Sequence, residues 1–361
     1  MTKVVRSSFI TFALLSQVYA SEHQNAAQIM QEALQEMQSV VEGNSSKATE
    51  PKSQETTFSL GKYGTFKFEK ANKNVYIMHG PVVAPNKENR GFMNNPALIE
   101  GKNGLIVIDP GGNYNVGKEI LAEIEKVSTK PILAVFNTHK HGDHWFANKA
   151  IVEKYPKVDI YAHPNMIKEV KAGEAEIWYG ILNRTTGNLE GTKAFAFPTI
   201  ALKDGDKIEV DGEQFEIAFP NRAHTDTDLL ITHKNSNTLF LADNLMKGRL
   251  GSFDESSSIL GNIKLLEEIK ADTNFTLYVP GHGISGTRDE TIDPFLNYLH
   301  TLNEEGAKAY DEDMESYEIK DEVLKKLAWM KGWDGFEKNA AAHLNKIMLE
   351  IGEAELLEED E

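Results

Sequence analysis

Three histidines and an aspartate stand within six residues, His139-Lys140-His141-Gly142-Asp143-His144, just beyond the apolar run Ile132-Leu133-Ala134-Val135-Phe136. That run reads as a strand buried on both faces, which requires a sheet covered on each side. The polar cluster therefore leaves a strand end, where such sheets place their ligand loops. Four side chains of these types so close together are costly unless water or a cation compensates them. In extended backbone, residues two apart face the same side, so His139 and His141 can chelate one ion. Gly142 then lets the chain turn sharply, and Asp143 and His144 can address a second ion. A solvated surface cluster is the plainer alternative.

The remaining donors must come from elsewhere, because a metal takes about four to six. Three candidates sit at the ends of expected strands. His224 follows Phe219-Pro220-Asn221-Arg222-Ala223, Asp243 ends Thr238-Leu239-Phe240-Leu241-Ala242, and His282 follows Tyr278-Val279-Pro280-Gly281. One histidine past a strand is ordinarily a polar loop residue; repetition at three strand ends favours ligands. No cysteine occurs, so thiolate ligands and disulfides are excluded and any metal is left to histidine and carboxylate.

Lys3 and Arg6 precede the apolar stretch Phe9 to Leu15, and Val18-Tyr19-Ala20 ends in the small-residue pattern cut by a signal peptidase. A signal peptide over 1–20 and a periplasmic or secreted location are expected. No later stretch reaches the roughly 18 apolar residues of a membrane span. Asp plus Glu is 55 against 38 for Lys plus Arg, a net charge of −17. Such a surface repels nucleic acid, and points to a small-molecule substrate. The sequence sets no oligomeric state.

Met30, Ala33, Leu34, Met37 and Val41 recur at helical spacing, so 21–56 reads as an amphipathic helix followed by a polar linker. From about residue 57 short strands are expected: Asn74–Ile77, Ala97–Glu100, Leu105–Ile108, Ile132–Phe136 and Val158–Ala162. Lys207–Val210, Gln214–Phe219, Leu229–Thr232, Thr238–Ala242 and Phe275–Val279 follow. Helices are expected over Val116–Lys126, Trp145–Tyr155 and Ser257–Ile269. Strands linked by hairpins, then alternating with helices, imply an α/β fold of sheets covered by helices. The catalytic domain is set at 57–294, and 295–361 as a helical extension, with apolar stripes over Leu296–Leu302, Val323–Met330 and Ala340–Ile351.

The string His-x-His-x-Asp-His, with Ala-His-Thr at His224, Leu-Ala-Asp at Asp243 and Pro-Gly-His-Gly at His282, resembles the ordered signature of the metallo-β-lactamase superfamily. The resemblance implies a four-layer αββα sandwich with two metal ions, zinc above all, in a groove along one edge of the two sheets. It assigns His139, His141 and His224 to the first ion, and Asp143, His144 and His282 to the second, with Asp243 bridging. The bridging carboxylate resembles glyoxalase-type hydrolases and departs from true β-lactamases, whose best-known subclass has cysteine there. The Ala-His-Thr-Asp context and C-terminal helices look closest to exported zinc metallohydrolases linked to quinoprotein and sulfur-oxidation systems.

Other residues carry two readings each. Asp109 (in Asp-Pro-Gly-Gly), Asp228 and His163 could sit behind a ligand and orient it, or shape their own turns. Lys247 and Arg249 could anchor a substrate carboxylate or be surface cations. Trp178 and Tyr179 read as packing aromatics or as liners of a substrate loop. His23, His79, His233, His300 and His343 read as structural or solvated. The implied chemistry is a metal-bridging hydroxide attacking the carbonyl of an ester, thioester, lactone or lactam, with Asp143 orienting it. The rivals are a mononuclear iron persulfide dioxygenase, a non-catalytic periplasmic metal-binding or maturation factor, and a nuclease or phosphodiesterase.

Overall fold

Hairpin-linked strands come first in the chain, helix-linked strands after them, and the two kinds of connection sort the molecule into two sheets. The computed structural model describes residues 57–187 and 189–359; the expected signal peptide and amphipathic helix lie outside them. The first sheet runs in sequence order: β1 (Glu69–Asn72), β2 (Val75–Ile77), β3 (Ala97–Glu100), β4 (Leu105–Ile108), β5 (Ile132–Phe136), β6 (Asp159–Ala162) and β7 (Ile200–Ala201). β1 to β4 pair antiparallel, and β4 to β7 pair parallel. Parallel neighbours need crossovers, and α1 (Tyr114–Val127) supplies the one between β4 and β5. The second sheet has the order β12-β11-β10-β9-β8, from β8 (Lys207–Val210), β9 (Glu213–Ala218), β10 (Leu230–His233), β11 (Thr238–Met246) and β12 (Leu277–His282). Its one parallel pair, β11 with β12, is joined through α6 (Ile259–Ala271).

Alternation along the strands builds the layers. Val75, Ile77, Ile99, Ile106, Ile108 and Phe136 pack from the first sheet onto Phe215, Ile217, Ile231 and Phe240 of the second. Their neighbours Leu98, Leu105, Val107 and Val135 face the other way, onto Val116, Ile120 and Ile124 of α1. Each such fully buried side chain contributes about 1.5–3 kcal/mol. The outer face of the second sheet, with Leu239, Leu241 and Tyr278, is covered by α6, α7 (Arg288–Asp311) and α9 (Phe336–Glu359), with α8 (Ser316–Lys326) closing the same core. The result is the expected four-layer αββα sandwich with C-terminal helices. Among the described residues, no helix is long and apolar enough to cross a membrane.

Four local differences from the sequence reading have physical causes. The single helix expected over Trp145–Tyr155 is two, α2 (Gly142–Trp145) and α3 (Asn148–Lys154), because the Ala147 amide donates to Gly111 O instead of continuing the helical ladder. β11 runs past Ala242, because parallel pairing with β12 continues across two register shifts. Residues 164–186, where no element was expected, hold α4 (Pro164–Glu169) and α5 (Ala175–Thr186). α7 begins with a Thr287–Glu290 capping box and passes through Pro294, so residue 294 lies inside a continuous helix.

Candidate metal centre

β5 delivers the ligand loop to the sandwich edge. The side-chain amides of Asn137 and Asn148 pair reciprocally behind it, at 3.2 and 2.7 Å. His141 then stands at the N-terminus of the short α2, in extended backbone. Gly142 does not occupy the left-handed region, so the sharp turn expected of it is not its role. It is small because a Cβ there would come within 2.6 Å of the Phe146 ring and 3.0 Å of Trp178 Cβ. Across the groove, Ala242 stands at φ +47° beside a register shift in β11. That irregularity aims Asp243 inward, at the order of 1–3 kcal/mol of backbone strain. A Cβ at Gly281 would run into the Asp243 carboxylate.

All seven expected ligands converge and are buried. His139, His141, His224 and Asp243 form one group and Asp143, His144 and His282 another, with the donor atoms of each group within 4.8 Å of one another. Asp243 reaches both groups: Oδ1 lies 3.2 Å from His144 Nε2, while Oδ2 lies 3.2 Å from His282 Nε2 and 3.6 Å from His224 Nε2. Asp143 Oδ2 is 3.3 Å from His282 Nε2.

Outer contacts decide which ring nitrogen faces the centre. Asp109 accepts the His144 Nδ1 proton at 2.8 Å, turning Nε2 inward. The same carboxylate accepts from Thr138 N (2.9 Å) and Thr138 Oγ1 (2.6 Å), which leaves that hydroxyl oxygen to accept from His139 Nδ1 at 3.0 Å. His282 donates Nδ1–H to Met93 O at 2.7 Å. Asn244 Oδ1 fixes His224 through its backbone N–H, at 3.0 Å. Lys140, between two ligands, points away to Glu169 and Asp226, whose carboxylates outweigh its burial and raise its pKa.

The electrostatics call for cations. Burial alone would raise the carboxyls of Asp243 and Asp143, yet the charges of His282 and His144 outweigh it and hold both below the usual range. Burial would lower His144 and His282, but Asp243 and its neighbours raise them. His139 and His224 are pushed down by burial, His224 to about 3. His139 Nε2, His144 Nε2 and Asp243 Oδ1 are buried without a hydrogen-bond partner among the described residues. Buried polar atoms are rarely left so. His224 Nε2 and His141 Nδ1 face each other at 3.1 Å, a pairing that suits a shared cation. The donor set fits divalent metal, with nitrogen and oxygen ligands of the kind zinc takes.

Other candidates fall on both sides. Asp228 accepts from Thr225 N (2.8 Å) and Thr225 Oγ1 (2.6 Å), and burial raises its pKa to about 7. It therefore holds the turn after His224. His163 is a correction: its Nδ1 accepts from Asn165 N at 3.1 Å as the cap of α4, and its ring packs at a tilt against Phe219 rather than against a ligand. Arg249 lies beside the centre, with a guanidinium nitrogen 3.4 Å from His282 Nδ1 and 3.2 Å from Met93 Sδ. Lys247 is half-buried, which lowers its pKa, and makes no ion pair among the described residues. Trp178 lies against the His141 ring at 4.3 Å. Thr138, Asn244 and Asp254 were missed, since a Thr or Asp in a loop and an Asn in a strand carry no signal of which ligand they face.

A sandwich with His and Asp donors gathered at one edge defines the frame of a metal-binding centre. Residues 89–282 match the family model described as the metallo-beta-lactamase superfamily, and the chain belongs to that superfamily. A linear primary-alkylsulfatase from Pseudomonas sp. is 27% identical over 209 residues, covering 57% of this chain and 35% of that protein. A hydroxyacylglutathione hydrolase from Synechococcus sp. is 25% identical over 169 residues, covering 46% of this chain and 55% of that protein. The chain thus spans only part of these relatives. Among solved structures, a stereoselective inverting sec-alkylsulfatase from Pseudomonas sp. matches with a TM-score of 0.63 at 16% identity, over 80% of this chain and 50% of that one. That likeness shows the fold.

Proposed function

We propose that the chain is an exported, binuclear zinc hydrolase that cleaves an ester-type bond in a small substrate. The observation that carries the reading is the Asp243 carboxylate, whose two oxygens reach histidines of both donor groups. Two nearly complete groups favour two ions over the single iron of a dioxygenase. His139, His141 and His224 would hold one ion, Asp143, His144 and His282 the other, with Asp243 shared. When bound, such a pair lowers the pKa of a shared water toward neutrality and polarises the bond under attack. Asp143, kept ionised by its histidine neighbours, can accept a hydrogen bond from that water and orient it. The Arg249 guanidinium has no carboxylate in ion-pair range among the described residues and is free to take an anionic group of the substrate. Carbonyl esters, thioesters, lactones and lactams suit this arrangement.

A sulfate ester is the second reading. The free Arg249 beside His282 favours it, and so does the name of the alkylsulfatase relative. Export rests on the Lys3–Ala20 pattern, and zinc on the donor types. Elemental analysis of the protein, paired with hydrolysis of an activated ester, a thioester, a lactone, a penicillin and an aryl sulfate, tests the proposal. About two zinc equivalents and turnover of at least one class, abolished by a chelator and restored by zinc, are expected. One iron with oxygen consumption on a persulfide, or metal without turnover of any, would overturn it.

A further inference from the structure

Residues 247–258, between β11 and α6, form one wall of the metal centre, and the C-terminal layer fixes them. Leu250 N donates to Asp334 O at 2.9 Å, and Asp334 N donates to Gly248 O at 3.0 Å. His343 of α9 donates Nε2–H to Gly251 O at 3.0 Å while its Nδ1 accepts the Tyr298 hydroxyl at 2.7 Å. Glu350, also on α9, accepts from Ser258 Oγ, Ile259 N and Leu260 N at 2.9–3.0 Å and so caps α6. From the opposite side Arg222 Nε donates to Ser256 O at 2.8 Å.

Within this pinned segment Asp254 divides its carboxylate between two tasks. Oδ1 accepts from Ser256 N and Ser256 Oγ, both at 2.7 Å. Oδ2 lies 3.5 Å from His141 Nε2. His141 is the one ligand of its group whose Nδ1 faces the centre, toward His224 Nε2, so its Nε2 is the outer nitrogen. Metal-bound histidines commonly donate that outer N–H to a carboxylate, which fixes the tautomer and raises the basicity of the inner nitrogen.

We infer that Asp254 is a positioning residue for the first ion: it accepts the outer N–H of His141 and leaves Nδ1 as the metal donor. The inference rests on the metal-centre reading above. Trp178 holds the ring plane on one side, and among the described residues Asp254 alone addresses its outer nitrogen. An amide at 254 keeps an oxygen for Ser256 and turns an NH2 toward His141, donor against donor.

Chelator-competition titration with zinc, run on the wild-type protein, Asp254→Asn and Ser256→Ala, separates this role from turn-making. For Asp254→Asn one of two zinc constants should weaken by about 10–100-fold while the other holds, with the melting midpoint of the metal-free protein unchanged. Ser256→Ala, which loses only the turn partner, should keep both constants. Wild-type zinc constants in Asp254→Asn overturn the inference. So does a loss that both variants share in proportion to a fall in metal-free melting. A wild-type protein that binds no zinc overturns the metal-centre reading itself.

Discussion

The metal centre has two walls, and they are secured by different parts of the chain. The wall at residues 137–145 is built at short range: Asp109 ends the strand next to β5 and holds both His144 and, through Thr138, His139. The opposite wall carries Asp243 and Asp254, and its anchors His343 and Glu350 come 90–92 residues later than the atoms they hold. The difference teaches how a substitution should act. Change in the first wall alters ligands directly, with little need to disturb the fold. Change in the second acts through packing of a helical layer as well, so metal affinity and stability move together unless the variant is isosteric.

Asp243→Asn is expected to have the largest effect, because Asp243 is the one ligand that serves both donor groups. The amide offers a single weaker oxygen and no charge, so two cations would repel at short range. Hydrolysis should fall further than the ~10–100-fold typical of outer partners, and metal content should drop toward one equivalent. Two retained ions with near-normal turnover would show that the walls are not joined there.

Asp109→Asn should come next, with a loss of about 10–100-fold in zinc affinity and no large change in circular dichroism. An amide cannot accept from His144 Nδ1 and from both Thr138 donors. Unchanged affinity in a chelator titration would mean that the first wall holds its ligands without Asp109.

His343 tests the second wall through pH. Burial pushes it from 6.5 down to about 4, so the native state stays neutral where the unfolded chain is already protonated. The unfolded state then binds more protons between about pH 6.5 and 4, and stability falls as pH drops through that window. His343→Gln should destabilise the metal-free protein at pH 7 by about 1 kcal/mol, from the lost hydrogen bonds. Denaturant midpoints should show that deficit shrinking toward pH 5; a gap that widens would contradict a buried neutral His343. Asp228→Asn should matter least, since its carboxyl holds the turn through Thr225 rather than through a ligand ring. Activity should stay within about tenfold of wild type, and a larger loss would make Asp228 part of the centre.

How much was legible follows the same division. The strands Ala97–Glu100, Leu105–Ile108 and Ile132–Phe136 have the bounds expected, because apolar runs ended by turn residues leave little choice. The seven expected ligands were legible because their residue types recur in a fixed order along the chain. What was hidden depends on contacts between distant residues. Nothing in Phe253-Asp254-Glu255 separates Asp254 from an ordinary loop acid, since its value lies in facing His141, 113 residues earlier. His163 reads like a site residue until its ring is seen to cap α4. Gly142 was read for its turn and is needed for room against Phe146 and Trp178. α5 escaped because residues 175–186 carry only a partial apolar stripe.

The most direct measurement is a crystal of the zinc-loaded protein with anomalous data collected on both sides of the zinc edge. Two peaks are expected, one among His139, His141 and His224 and one among Asp143, His144 and His282, with the Asp243 carboxylate between them. A single peak, or two peaks with Asp243 turned away from either, would contradict a binuclear centre bridged by that residue.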